Sequence, residues 1–211
     1  MTFTALLVLM LAACEIPSTS QNSPPTTPQL PESTDSSPRA GWFGFGEYAR
    51  LMALPPDAKL LMPVRGVRVN QIANTFGAPR DGSRTHEGQD IFAPKGTPVY
   101  SATQGFVWRI GYGELGGNYV FVMGPGGRRY YYAHLDRYAK DLQEGDAVTT
   151  GTLLGYVGNT GNARTTPAHL HFGVYGNRWS ADERVINPLP LLVNRGWKTL
   201  QAATPVGKTA N

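Results

Sequence analysis

The chain has 211 residues, including 25 glycines and 17 prolines, and a formal net charge of +4. This length allows one ordinary domain with tails, and the glycine and proline content favours short strands and tight turns over a helical protein. The single cysteine, Cys14, excludes a disulfide within the chain. No Lys/Arg cluster is interleaved with aromatic residues, which argues against nucleic acid as a partner.

The amino-terminal residues predict export. Phe3 to Ala13 is an apolar run of signal-peptide length, too short to cross a bilayer as a mature helix. It ends in Leu11-Ala12-Ala13-Cys14, which resembles the lipobox of bacterial lipoproteins. From this resemblance we expect residues 1–13 to be a signal peptide and Cys14 to be lipidated. By analogy with such lipoproteins, Glu15 favours sorting to the outer membrane, facing the periplasm, in a cell that has one. No Lys or Arg precedes the run, and an ordinary cleaved signal with an incidental Cys14 is the alternative.

Residues 14–40 are predicted to form a disordered tether. They consist largely of Ser, Thr, Pro, Gln and Asn, so they bury too little apolar surface to offset the entropy of ordering. At about 3 Å per residue such a tether reaches roughly 75 Å from its anchor. This reach suits a protein that is held at a membrane and acts on a polymer standing off from it.

Residues 41–61 are too apolar for a free linker. Tyr48, Leu51 and Met52 have helical spacing, and Pro55-Pro56 ends the run. We expect a short amphipathic segment packed on the domain that follows. A flexible interaction patch and a regulatory segment that covers a functional site are the alternatives.

From Val64 onward the pattern is typical of strands. Runs rich in β-branched and aromatic residues are separated by turns such as Gly124-Pro125-Gly126-Gly127. The predicted strands are Phe106–Ile110, Tyr119–Met123, Arg129–Ala133, Leu153–Val157 and His169–Tyr175. Residues 62–190 are therefore predicted to form an all-β domain of two packed antiparallel sheets. Residues 191–211 are expected to be a tail that packs back only in part, through side chains such as Trp197.

The four histidines of the chain suggest one metal site. Residues two apart on a strand share a face, so His169 and His171 can reach one pocket. His86 and Asp90 also have even spacing, and Gly88 between them lets the backbone bend. Two imidazoles and one carboxylate are a common zinc set that leaves a fourth position open for water.

This arrangement resembles the lysostaphin-type (LytM-domain) zinc endopeptidases of bacterial peptidoglycan, over about residues 62–190. The match extends beyond the histidines to motifs that occur in the family's order. They are Asn74-Thr75-Phe76-Gly77, Arg84, His86-x3-Asp90, Ala93 to Val99, Gly117-Asn118, Tyr132-Ala133-His134-Leu135, Gly145 to Val148, Gly155 to Gly161 and His169-x-His171. The resemblance implies a groove across a β-sheet with zinc at its floor.

The resemblance also implies roles for five residues. His86, Asp90 and His171 match the zinc ligands, while His134 and His169 match two histidines beside the metal. We expect His169 to orient or deprotonate the attacking water. His134 is expected to stabilise the oxyanion or to protonate the leaving amine.

Other residues near these motifs have open roles. Asn118 is a candidate substrate-binding residue or a structural one beside a turn. Tyr132, with Tyr130, shares a strand face with His134 by alternation, and is either groove wall for the substrate or core. Asp136 is either an orienting acid or a solvated one.

The resulting functional hypothesis is a monomeric, membrane-anchored zinc endopeptidase that cleaves peptidoglycan cross-links or stem peptides. A non-catalytic peptidoglycan binder or amidase activator on the same fold is the main alternative, and a secreted enzyme that attacks foreign cell walls is another. Two departures from the family pattern are expected to alter the groove. Gln89 replaces an aliphatic residue, and Thr166-Pro167-Ala168 replaces a Gly-containing run.

Overall fold

The computed structural model describes residues 44–80, 82–177 and 184–196. The predicted signal peptide, Cys14, the tether and most of the carboxy-terminal tail with Trp197 lie outside these ranges. Among the residues described, none belongs to a helix of sufficient length and apolarity to span a membrane.

The described chain contains one α-helix and eleven strands. The helix α1 is Phe45–Ala53. The strands are β1 (Leu60–Leu61), β2 (Gln89–Phe92), β3 (Pro98–Tyr100), β4 (Gly105–Gly113), β5 (Gly117–Met123), β6 (Arg129–Tyr138), β7 (Ala147–Val148), β8 (Leu153–Val157), β9 (His169–Tyr175), β10 (Val185–Ile186) and β11 (Leu192–Val193). The predicted all-β class and all five predicted strands are confirmed, and Pro125–Gly127 forms the turn between β5 and β6.

Nine of the strands form one branched antiparallel sheet. Its main path runs β10-β9-β6-β5-β4-β7; β2 pairs with β9, and β8 pairs with both β6 and β3. The first half of β6 pairs with β5 and β9, whereas its second half pairs with β8, with a register shift between Leu135 and Arg137. The strands that pair with the first half of β6 form one layer and β8 with β3 form the other, so β6 joins the two packed layers. A separate parallel pair, β1 and β11, was not predicted.

The core lies between these layers. Its largest fully buried side chains include Tyr130 and Tyr132 from β6, Phe172 from β9, Ile91 from β2 and Leu154 from β8. Because side chains alternate along a strand, the opposite faces of β2, β6 and β9 are left to form a site.

Helix α1 packs at the turn between β5 and β6. Leu51 is buried, Tyr48 packs against Phe106 with ring centroids 5.8 Å apart, and the helix ends before Pro55. Asp57 then accepts hydrogen bonds at Oδ2 from the hydroxyls of Tyr130 (2.7 Å) and Thr103 (2.6 Å).

These contacts fix where the described part of the 41–61 segment lies. Tyr130 and His134 are four residues apart on β6, which corresponds to about 13 Å along a strand. Residues 44–57 therefore dock near the start of β6, whereas His134 lies in the middle of that strand.

Candidate metal centre and active site

Three strands bring the histidine motifs together. In the antiparallel pair β2–β9, Asp90 lies opposite His171 and Phe92 lies opposite His169. In the pair β6–β9, Ala133 lies opposite His171, which brings His134 to the same region. His169 and His171 share one face of β9, as their spacing predicts.

Three ligand-type atoms converge at the centre of this cluster. His86 Nε2 lies 3.0 Å from Asp90 Oδ1 and 2.9 Å from His171 Nδ1, and His171 Nδ1 lies 3.2 Å from Asp90 Oδ1. His86 and Asp90 are buried and His171 is half-buried. Among the described residues these three form the one group of His, Cys, Asp and Glu side chains with metal-binding geometry.

The triangle has the dimensions of one face of a zinc tetrahedron. With zinc–nitrogen and zinc–oxygen bonds of about 2.0–2.1 Å, two ligand atoms in a tetrahedral site are about 3.3 Å apart. The three separations of 2.9 to 3.2 Å are close to this value. Two imidazoles and a carboxylate also match the donor types that zinc prefers. The residues therefore fit a zinc ion with one open position.

Thr75 and Arg80 orient two of these side chains. His86 Nδ1 donates a hydrogen bond to the carbonyl oxygen of Thr75 at 2.6 Å. Since a carbonyl oxygen only accepts, the proton of neutral His86 sits on Nδ1, and Nε2 presents its lone pair to the cluster. Asp90 Oδ2 accepts a hydrogen bond from Arg80 Nη2 at 2.7 Å, and Oδ1 is therefore turned towards the two imidazoles.

Asp90 is held in its ionised form. Burial by itself raises the pKa of this carboxyl, but the neighbouring His171, His86 and Arg80 side chains outweigh it and keep the pKa well below its usual range. An ionised carboxylate is the form that coordinates a cation.

His134 and His169 lie beside the three converging atoms. Their rings are 4.9 Å apart, and His169 Nε2 lies 3.8 Å from Asp90 Oδ1. Each donates from Nδ1 to a backbone carbonyl, that of Thr160 for His134 (2.9 Å) and that of Pro167 for His169 (2.8 Å). In the neutral form, both rings therefore carry their free lone pair on Nε2.

Burial, together with the neighbouring His169 and His171, lowers the pKa of His134 to about 4. His134 is consequently neutral at pH 7, and its Nε2 acts first as a proton acceptor. The backbone at His134 is also unusual, because its φ of 60° is in the left-handed region that non-glycine residues seldom adopt.

The prediction of Tyr132 as a substrate-binding residue is wrong. Tyr132 is completely buried, and its hydroxyl accepts a hydrogen bond from the Ala102 amide at 2.9 Å. Strand pairing puts Tyr131 and Ala133 on the face of His171 and leaves Tyr130 and Tyr132 in the core. The left-handed backbone at His134 breaks the alternation, so counting back from His134 selects the wrong face.

Asn118 and Asp136 have mainly structural contacts. The Asn118 amide donates to the carbonyl oxygens of Leu135 (3.0 Å) and Asp136 (3.2 Å), which supports the β6 segment just after His134. Asp136 forms ion pairs with Lys95 and Arg137 instead of contacting a histidine ring. These contacts favour the structural interpretation of Asn118 and the solvated interpretation of Asp136.

Gly88 and Gln89 have structural roles that the sequence did not reveal. Gly88 lies in a bend before β2, as expected, and it also makes room for the His171 ring, because a Cβ on Gly88 would come within 2.5 Å of His171 Cε1. Gln89 is fully buried and therefore does not line the groove. Sequence reasoning also missed Thr75 and Arg80, because their contacts come from an irregular segment without a periodic signal.

Comparison with known proteins gives the family. Residues 84–187, which contain the five clustered side chains, match Peptidase family M23. The structure of the catalytic domain of lysostaphin from Staphylococcus simulans is 30% identical, with a TM-score of 0.50, and the match covers 58% of this chain and 92% of that domain. The chain belongs to peptidase family M23.

Two curated endopeptidases are also similar to the M23 chain. The L-Ala–D-Glu endopeptidase of Bacillus subtilis is 36% identical over 136 residues, covering 59% of this chain and 40% of the relative. The peptidoglycan DD-endopeptidase ShyC of Vibrio cholerae is 36% identical over 89 residues, covering 42% of this chain and 20% of the relative. The M23 chain thus spans two fifths or less of these relatives.

Proposed function

We propose that this M23 protein is a zinc-dependent endopeptidase that hydrolyses peptide cross-links or stem peptides of bacterial peptidoglycan. The observation that carries the proposal is the convergence of His86 Nε2, Asp90 Oδ1 and His171 Nδ1 within 3.2 Å of one another. The names of the two curated relatives support a peptide bond of peptidoglycan as the substrate. A non-catalytic binder requires neither the three ligand atoms nor two further histidines beside them.

His86, Asp90 and His171 would hold zinc, and the bound ion would lower the pKa of a water to about 7 and polarise the carbonyl oxygen of the substrate. His169 is well situated to orient this water, since its Nε2 lies 3.8 Å from Asp90 Oδ1 and carries a lone pair in the neutral ring. The water oxygen then bonds to the carbonyl carbon, and an imidazole Nε2 accepts the proton that is released.

His134 is proposed to take part in the return of that proton. Hydrolysis is complete when the carbon–nitrogen bond breaks and the leaving amine gains a proton. Because neutral His134 has its Nδ1–H bonded to Thr160, the ring must gain a proton at Nε2 before it can donate one there.

We further propose that the protein is exported and anchored through lipidated Cys14. The support is the sequence alone, namely the apolar run that ends in Leu11-Ala12-Ala13-Cys14 and the polar stretch that follows. With a reach of roughly 75 Å, such an anchor is compatible with a cell-wall substrate.

The test is to incubate the full chain with defined cross-linked muropeptides, with and without a chelator, and to identify the products by mass. The proposal predicts cleavage that the chelator abolishes and zinc restores. His171→Ala and Asp90→Ala should lose both zinc and cleavage. Asp146→Ala is the matched control, because this carboxylate only accepts a hydrogen bond from the Gln143 amide in the turn before β7 and should retain both.

Two results would contradict the proposal. Cleavage that survives complete removal of metal would exclude zinc dependence. Zinc bound by the wild-type chain without cleavage of any muropeptide would favour the non-catalytic binder.

A further inference from the structure

Gln89 is a fully buried amide in β2, on the strand position opposite Phe172. An amide in an apolar interior is unfavourable unless hydrogen bonds satisfy it. The hydrogen bonds of the Gln89 side chain all go to backbone atoms. Its Nε2 donates to the Ala73 carbonyl at 2.6 Å and to the Asp90 carbonyl at 3.1 Å, and its Oε1 accepts from the Thr75 amide at 3.3 Å.

The segment that Gln89 holds is irregular. Residues 73–75 lie between the short 3-10 turn Val69–Gln71 and the residues that bridge Pro79 with Thr85, and they belong to no helix or strand. Gln89 bonds to both ends of this three-residue segment. The amide therefore supplies hydrogen bonds that a sheet or helix supplies elsewhere.

Thr75 in turn contacts two of the three proposed zinc ligands. Its carbonyl oxygen accepts from His86 Nδ1 at 2.6 Å, and its hydroxyl accepts from the Asp90 backbone amide at 2.8 Å. Gln89 therefore bonds to Thr75, the residue whose carbonyl oxygen sets both the tautomer and the orientation of the His86 ring.

We infer that Gln89 is a positioning residue of the metal centre. By holding residues 73–75, it keeps the Thr75 carbonyl where it fixes the proton of His86 on Nδ1 and directs Nε2 towards Asp90 and His171. This inference rests on the proposed zinc site for its effect on metal affinity, but its effect on the His86 tautomer is independent of metal.

Packing alone does not account for this side chain. An aliphatic residue of similar volume would fill the same core position without the cost of burying an amide. It would also leave the Ala73 carbonyl and the Thr75 amide without their bonds to residue 89. Loss of a partner that orients a metal-bound histidine typically reduces metal affinity by about 10–100-fold.

The test uses the full chain with Gln89→Met, which is close in volume and lacks the amide. Zinc affinity, measured by competition with a chromophoric chelator, should fall by about 10–100-fold. Nitrogen NMR of the metal-free protein should show His86 shifting from the Nδ1-protonated form to a mixture of tautomers. Gln89→Leu, which also lacks the amide and is of similar size, is the second variant if the first does not fold. It should show the same changes.

Thr103→Val is the matched control, because it removes another buried side-chain hydrogen bond, from Thr103 to Asp57 at 2.6 Å. It should reduce stability while leaving zinc affinity and the His86 tautomer unchanged. Wild-type affinity and tautomer in folded Gln89→Met, or equal losses in Thr103→Val, would overturn the inference. Failure of the wild-type chain to bind zinc would instead count against the proposed function, with the tautomer measurement still deciding the role of Gln89.

Discussion

Gly88→Ala is expected to disable the metal centre while the fold survives. The added methyl group would lie 2.5 Å from His171 Cε1, 2.6 Å from His171 Nε2 and 3.0 Å from the Phe172 carbonyl oxygen. Normal carbon contacts are about 3.5–4.0 Å. The carbonyl belongs to the β2–β9 pairing and cannot move far, so the His171 ring must shift by about 1 Å to reach such a contact.

That shift decides the size of the effect. Metal–ligand distances in a functional site lie within about 0.2 Å of their ideal values, so a displacement of about 1 Å removes His171 from coordination. We expect zinc affinity to fall by at least about 100-fold, beyond the usual effect of losing an orienting partner. Overpacking should cost about 1–3 kcal/mol of unfolding free energy.

Chelator competition and thermal unfolding of the same samples test this expectation. Gly46→Ala is the control, because a Cβ at Gly46 in α1 meets nothing within 4 Å. The reasoning is refuted if Gly88→Ala binds zinc as tightly as the wild type. It is also refuted if the control loses zinc to the same extent.

Two further predictions concern stability. Asp57→Ala leaves the Tyr130 and Thr103 hydroxyls without their shared acceptor, so urea denaturation should show a loss of about 2–4 kcal/mol of unfolding free energy. Zinc affinity should stay unchanged. A loss of zinc affinity would show that the α1 end of β6 is coupled to the site. Burial raises the pKa of Tyr132 from 10.0 to about 12, so its contribution to stability is complete below pH 10 and is lost as the pH rises towards 12. Between pH 10 and 12 the slope of unfolding free energy against pH reports the difference in bound protons between the folded and unfolded states, and in Tyr132→Phe this difference should be smaller by about one proton. An unchanged slope would contradict this assignment.

The regular strands and the side chains on them were predictable from sequence. His169 and His171 lie on an uninterrupted strand, so alternation alone placed them on one face. Asp90 pairs directly with His171, and this long-range register was not predicted; only the family resemblance placed the two residues in one site.

Features that depend on tertiary contacts were not predictable. The two-residue strands β1 and β11 pair across the whole domain, with Leu60 opposite Leu192, and so short a run carries no periodic signal. Tyr132 was assigned to the wrong face because the left-handed residue His134 interrupts the alternation. Gln89 stood out only as a polar residue in an apolar position, and its partners belong to a segment without local pattern.

The left-handed backbone at His134 sets local stability against the presence of the imidazole. A residue with a Cβ is destabilised by roughly 1–2 kcal/mol in this backbone conformation, whereas glycine adopts it freely and asparagine tolerates it. Replacement of His134 by either residue would relax the chain at the moment it removes an imidazole. A gain in stability at this position would therefore remove a side chain that the proposed hydrolysis uses, as is expected where a strained residue serves function.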